Sequence, residues 1–281
     1  MGEVIQAAKI THVPSIYLSE QPGPTQGIRQ NAIDGLKELG RRAAERGADT
    51  FVVLDVHWAV TIGFHLNANE RHAGEYTSHE LPHFINGLTY EYPGDPELAK
   101  LIGEHGEADG LHMRVHQYPG LSLEYGTLIP MRHMNPEGAM RVLPVACNEN
   151  ATMEEQAAFG KAIRRAVDAS DRKVSVLASG SMSHEFASNQ EADQKRNEIT
   201  DEFNRQVDLR VVELWEQGRV EEFLAMFPSY AERCYGEQRM ADTAMLFGVL
   251  GWDEYRGKAQ SITPYFPSTG TGQINIEFPV G

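Results

Sequence analysis

The sequence predicts an α/β fold: a single domain, residues 1–281, with a central, mostly buried mixed sheet flanked by helices and a metal site at the strand ends. Three observations carry this. Continuous apolar runs, Phe51 to Val56 and Val174 to Ala178, read as strands buried on both faces. Segments with helical spacing alternate with such runs along the whole chain, and interleaved strands and helices define the α/β class. His12, His57 and His184 follow apolar runs, and Glu237 stands just ahead of an apolar helical pattern. In open α/β sheets the strand ends face the ligand crevice.

The elements follow in order. Val4 to Thr11 reads as the first strand. Pro22, Gly23 and Pro24 break the chain, and Thr25 is the expected N-cap of a helix carrying Ile28, Ala32, Ile33, Leu36 and Leu39, which Gly47 ends. Phe51 to Val56 is a buried strand, and Val60 to Leu66 is read as the next. Asn67 to Asn86 is polar and rich in His, Asn and Glu, and reads as a long functional loop. Asp95 caps a helix with Pro96 at its first position. Leu111 to Val115 and Arg141 to Ala146 are strands, and Met153 to Ala169 is an amphipathic helix. Val174 to Ala178 is a strand, Ala192 to Gln217 a long charged helix, and Phe223 to Phe227 and Met240 to Leu250 shorter helices. Gln273 to Phe278 alternates like a closing strand.

Composition narrows function. The net charge of −15 argues against nucleic acid and anionic membranes, whose binding needs Lys/Arg patches. It leaves room for a small anionic substrate. Cys147 and Cys234 form no Cys-x-x-Cys pair, so neither a disulfide framework nor a structural zinc site is expected, and a reducing cytoplasm fits. No signal peptide and no membrane-spanning apolar run are expected.

Two histidines and one carboxylate converging at strand ends would form a facial triad with open coordination positions, the arrangement of non-haem Fe(II) oxygenases. Each residue also has a plainer reading. His12 can be a polar residue at the sheet rim, and His57 a half-buried ring on Trp58. Asp55, two residues before His57 on the same strand face, is a candidate to fix the His57 tautomer. His184 can be a turn residue beside a Ser183 cap, and Glu237 a helix-terminal charge. The segment Gly180-Ser181-Met182-Ser183-His184 lacks the closing glycine of a nucleophile elbow, so a serine hydrolase is poorly supported, and His184 suits acid/base work. His65, His72, His79 and His83 lie in or beside the polar loop, and solvated histidines are the plain reading there.

Taken together, Thr11-His12-Val13-Pro14-Ser15, Asp55-Val56-His57-Trp58, Leu123 to Arg132, Ala178 to His184 and Cys234-Tyr235-Gly236-Glu237 resemble the class III extradiol ring-cleavage dioxygenases, the superfamily of protocatechuate 4,5-dioxygenase. The resemblance covers essentially the whole chain and is nearest to the branch that opens 3,4-dihydroxyphenylacetate. It implies one mononuclear Fe(II) held by His12, His57 and Glu237, with O2 as co-substrate and His184 as catalytic acid/base. Tyr125 stands where the superfamily often has a further histidine, which leaves its role open. The implied reaction converts 3,4-dihydroxyphenylacetate to 5-carboxymethyl-2-hydroxymuconate semialdehyde. Alternatives are another catechol, a zinc-dependent hydrolase on the same ligands, and a non-enzymatic binding module of this fold. The implied partner is a small aromatic diol, and a homo-oligomer is expected. A substrate carboxylate calls for a cation. Arg132 and Arg29 are the candidates, with Ser183 as a further substrate-binding residue.

Overall fold

The computed structural model describes residues 1–281. In chain order the elements are β1 (Glu3–Ile10), α1 (Ser15–Glu20), α2 (Gln30–Glu45), β2 (Thr50–Val60), β3 (Phe64–Asn67), β4 (Arg71–Tyr76), β5 (Leu88–Pro93) and α3 (Pro96–Ala108). Next come β6 (Met113–His116), α4 (Tyr125–Met134), β7 (Arg141–Asn148), α5 (Met153–Ala169) and β8 (Lys173–Ser179). The chain ends with α6 (Glu202–Gln217), α7 (Val220–Arg233), α8 (Ala241–Leu250), β9 (Gln260–Ser261), β10 (Phe266–Ser268), β11 (Thr271–Gln273) and β12 (Ile276–Phe278). No helix is long and apolar enough to cross a membrane.

Eight strands form one mixed sheet in the order β6-β3-β7-β2-β8-β1-β12-β9. β7, β2, β8 and β1 run parallel at its centre, so their C-terminal ends share one edge. That edge carries the site. Alternate residues of these strands feed two cores, as the two-residue period requires. On one face Val52, Leu54, Val174 and Val176 pack with α3, α5 and α8, and with the Trp215, Phe223, Phe247 and Phe278 rings. On the other face Phe51, Val53 and Leu177 pack with α2 and α4. The layering is therefore helix, sheet, helix, as the sequence predicts.

Local chemistry explains many of the boundaries. Asp95 caps α3 by accepting from the Leu98 N–H at 3.1 Å, with Pro96 at the first turn. Thr152 and Glu155 form a reciprocal capping box at the start of α5.

Other boundaries depart from the sequence reading. α2 starts at Gln30 rather than after Thr25, because Gly23 and Gly27 adopt positive φ and hold residues 23–29 in turns. The expected loop at Asn67 to Asn86 contains β4, which pairs antiparallel with β5 as a separate ribbon. Its inward residues are His72 and Tyr76, and their polar neighbours mask the alternation. The long helix expected from Ala192 starts only at Glu202, with Asp201 as its N-cap. α4 was not foreseen, because Pro130 lies inside it. The expected closing strand is divided between β11, which pairs with β10, and β12, which pairs with β1.

His72 yields a test of the ribbon's packing. It is 3% exposed, and its Nε2–H donates to the Val142 carbonyl at 3.1 Å. Burial pulls its pKa down to about 4. The unfolded chain therefore binds more protons than the native one between about pH 6.5 and that value. The stability this adds is complete above the unfolded pKa and is lost as pH falls toward 4, by about 3 kcal/mol. Urea midpoints at pH 7 and pH 4.5 should converge by part of that amount in His72→Asn relative to wild type. Parallel losses in the two proteins would place the acid sensitivity elsewhere.

Candidate metal centre and active site

The three histidines are delivered by sheet features, and Glu237 by a helix end. His12 follows the C-terminal end of β1. His57 sits in a bulge of β2, where the register with β7 jumps between Asp55 and Ala59. A bulge breaks strict alternation and re-aims a side chain. His184 follows β8 through a turn whose Met182 N–H donates to the Gly272 carbonyl, and its own N–H donates to the Cys234 carbonyl. Glu237 enters from the end of α7, directly before Gln238, Arg239 and Met240, all three at positive φ. Non-glycine residues rarely adopt that region, and three in succession mark a strained turn.

Glu237 is the hub. It is 7% exposed, and its Oε1 faces His57 Nε2 at 3.0 Å, His184 Nε2 at 3.5 Å and His12 Nε2 at 3.6 Å. Its Oε2 accepts from the Ser181 N–H at 2.9 Å. Ligand atoms of His12, His57 and Glu237 all lie within 4.8 Å of one another, which suits one small cation. His184 stands outside that set. Burial alone would raise the Glu237 carboxyl, but His184 and His12 beside it, with the close His57, hold it well below the usual range. Burial opposes charge on His57, yet its bond to Glu237 and the nearby carboxylates raise its pKa. Burial, with His12 and His57 nearby, pulls the His184 imidazole down against Glu237.

The His12 tautomer follows from hydrogen-bond counting. Ser179 Oγ gives its one proton to the Gly126 carbonyl at 2.5 Å. It can then only accept from His12 Nδ1, 3.0 Å away. His12 Nδ1 therefore carries the proton, and Nε2 presents a lone pair toward Glu237. A neutral imidazole nitrogen and an ionised carboxylate on one face are the donors a divalent metal takes.

Asp55 acts differently from the sequence expectation. Its Oδ1 accepts from the His57 backbone N–H at 2.9 Å, and its Oδ2 from Thr127 Oγ1 at 2.6 Å. The bulge turns the His57 ring away, so Asp55 fixes the backbone rather than the imidazole. A Cβ on Gly126 would lie 2.0 Å from Asp55 Oδ1, so only glycine lets α4 approach this closely. That approach sets the Tyr125 ring 3.7 Å from the His57 ring, centroid to centroid. Tyr125 donates its hydroxyl to Glu80 Oε2 at 3.0 Å. Burial, with Glu80 and Glu237 nearby, pushes its pKa far up, so it stays protonated.

These groups open into a cavity of about 580 Å³, walled by Pro14, Leu81, Phe84 and Phe186 and by the hydroxyl-bearing Ser15, Ser268 and Thr271. Among the loop histidines, His83 also lines it. Arg132 does not. It bonds Glu20 at 2.8 Å beside a different cavity of about 770 Å³ between α1, α2, α4 and β5. Helical spacing alone could not say which way it points. Ser183 is fully buried and donates its hydroxyl to Asp208 at 2.7 Å, away from the cavity. Arg29 is buried directly behind the Ser15 and Ser268 wall.

Sequence reasoning missed four residues here: Glu80, Ser179, Asp208 and Arg196. Asp208 accepts from the Ser183 N–H and hydroxyl and from the Tyr230 and Tyr265 hydroxyls, which ties the His184 loop to α6 and α7. Arg196 lines the cavity from the irregular segment before α6. The Gly/Ser turn was the only signal for Ser179, and the acidic polar loop the only one for Glu80.

The chain is 47% identical over 268 residues to the 3,4-dihydroxyphenylacetate 2,3-dioxygenase of Escherichia coli, covering 95% of this chain and 97% of that one. It is 23% identical over 291 residues to the 2-aminophenol 1,6-dioxygenase beta subunit of a Pseudomonas species, covering 99% and 94%. A crystal structure of an uncharacterized Escherichia coli K12 protein shares the fold, with a TM-score of 0.65, 15% identity and coverage of 99% and 100%. The family model for the catalytic LigB subunit of aromatic ring-opening dioxygenases matches residues 6–279, and the chain belongs to that family of extradiol ring-cleaving enzymes.

Proposed function

We propose that this dioxygenase opens 3,4-dihydroxyphenylacetate beside its diol, with one Fe(II) held by His12, His57 and Glu237 and with His184 as the acid/base. The convergence of two imidazole nitrogens on the buried Glu237 carboxylate carries the reading. The 47% identity to an enzyme named for that substrate supports the choice of catechol. Ferrous iron in this seat would supply open positions for the two diol oxygens and O2 and a route for electrons between them.

The chain's own groups do the rest. The diol must shed protons as it docks, and ring opening later needs one returned. His184 stays neutral near neutral pH, 20% exposed at the cavity wall, so it can take a proton from a substrate oxygen and give it back. Tyr125 spends its proton on Glu80, which leaves its oxygen lone pairs free to accept from a substrate hydroxyl. Phe84, Phe186, Leu81 and Pro14 give the ring an apolar wall. The product is 5-carboxymethyl-2-hydroxymuconate semialdehyde.

Three tests follow. After anaerobic loading with Fe(II), the protein should consume one O2 per 3,4-dihydroxyphenylacetate opened, followed by oxygen electrode and by the yellow product. Turnover of protocatechuate or gallate in its place would move the substrate, and activity only with zinc and without O2 uptake would end the reading. Ser179→Ala frees the His12 tautomer and should weaken metal binding about 10–100-fold by calorimetric titration. His184→Ala should keep its iron and lose about 10²–10⁴-fold in single-turnover rate, whereas His12→Ala should lose the iron. Equal iron loss in both variants would make His184 a ligand.

A further inference from the structure

Only two cations in this chain are fully buried, and they are treated differently. Lys9, 1% exposed, meets Asp242 Oδ2 at 2.8 Å. Arg29, 5% exposed, meets no carboxylate. Its Nε donates to Ser15 Oγ at 2.9 Å, one terminal nitrogen to the Pro267 carbonyl at 3.4 Å, and the other to the Arg196 carbonyl at 3.0 Å and Ser268 Oγ at 3.1 Å. Every acceptor is neutral. Burial, with Arg196 nearby, lowers its pKa to about 10, so it remains a cation at neutral pH. An unpaired buried charge is costly. In a chain with 40 acidic side chains, none is turned toward this one.

The two serines are what the cavity sees of that charge. Ser15 and Ser268 both line the cavity, and their oxygens are 3.4 Å apart. Each accepts from Arg29, so each has one proton left to donate. One can turn to the other serine, and the second then has only the cavity to face. Ser15 lies three residues beyond His12, so this wall adjoins the metal seat. Arg196 stands on the same rim, held only by a 3.3 Å contact to the exposed Asp193. This wall and the His12, His57 and Glu237 cluster line one cavity, so a catechol held at the cluster shares it with these hydroxyls.

We propose that Arg29, acting through the Ser15 and Ser268 hydroxyls and with Arg196 at the rim, forms the seat for a substrate carboxylate and selects anionic over neutral catechols. Arg29 is a positioning residue in this scheme, because its charge reaches the substrate through hydroxyls it orients. The inference rests on the ring-opening reading above, and its test separates the two.

The experiment compares 3,4-dihydroxyphenylacetate with its neutral isostere 3,4-dihydroxyphenylacetamide on the Fe(II) enzyme. Arg29→Gln keeps an N–H donor and removes the charge. It should raise KM for the acid about ten- to a hundredfold, the range for losing a charge-assisted bond, with kcat and the amide's KM little changed. Arg29→Lys should recover part of the loss. Ser268→Ala and Arg196→Gln should show the same acid-selective shift more weakly, and they carry the test if Arg29→Gln does not fold. Equal KM changes for acid and amide would overturn the seat and leave Arg29 as a structural tie. Thermal shift with 4-hydroxyphenylacetate against its amide provides the second measurement, since a monophenol cannot be opened. Preferential stabilisation by the acid, lost in Arg29→Gln, supports the seat even if wild type opens no catechol, a result that would sink only the reaction. No preference in wild type overturns the seat.

Discussion

A carboxylate shut away from water must be surrounded by donors or cations, and this constraint on Glu237 organises the molecule. The Ser181 N–H and the His57 and His184 imidazoles face its two oxygens, while His12 turns a bare Nε2 to the same carboxylate and leaves that side to a cation. Holding it there requires the left-handed run Gln238 to Met240, which costs roughly 1–2 kcal/mol per residue. Such strain persists only where the surroundings over-determine it. Here they do. Behind the site, Gly180 leaves no room for a Cβ, which would lie 2.5 Å from Asp242 Oδ2, and Asp242 is in turn paired with Lys9 from the C-terminal end of β1. The strand that brings His12 therefore also brings the cation that stabilises the start of α8.

Much of this was legible in the sequence, for definable reasons. Strands buried on both faces stand out as apolar runs, and polar residues at their C-terminal ends must reach the crevice. That logic reaches His12, His57 and His184, which the structure brings round one oxygen of Glu237, itself marked by its place ahead of an apolar helical pattern. It failed where geometry depends on a local irregularity. The Asp55 to His57 spacing promised a side-chain contact, but the bulge spoiled the alternation on which it rested. It failed again where partners are distant in sequence. Asp208 collects donors from Ser183, Tyr230 and Tyr265, none near it along the chain. Arg132 and Arg29 were equal candidates on paper. The helix sends one to Glu20 on the outside, and the α2 start buries the other behind the cavity wall.

The bulge itself has two tasks. It frees Val56 to Trp58 from sheet pairing so that His57 turns into the crevice, and it leaves the His57 N–H in need of an acceptor. Asp55 supplies one, and its other oxygen then anchors Thr127 on α4. One acidic side chain thus couples the metal seat to the helix that carries Tyr125. Because Gly126 closes against the same carboxylate, this corner tolerates little enlargement of any member.

The sheet order has a consequence for biosynthesis. β1 ends at Ile10, yet its neighbours are β8, which starts at Lys173, and β12, which starts at Ile276. On the ribosome, an apolar strand made early must wait for most of the domain to emerge before it finds an edge to pair with. Pairings this far apart close slowly, and exposed strands invite association with other chains in the interval. His12 and the Lys9 cation share that delay, so the cluster around Glu237 is among the last parts of the fold to be completed. A nascent chain therefore cannot assemble the His12, His57 and Glu237 cluster before residue 237 has been synthesised.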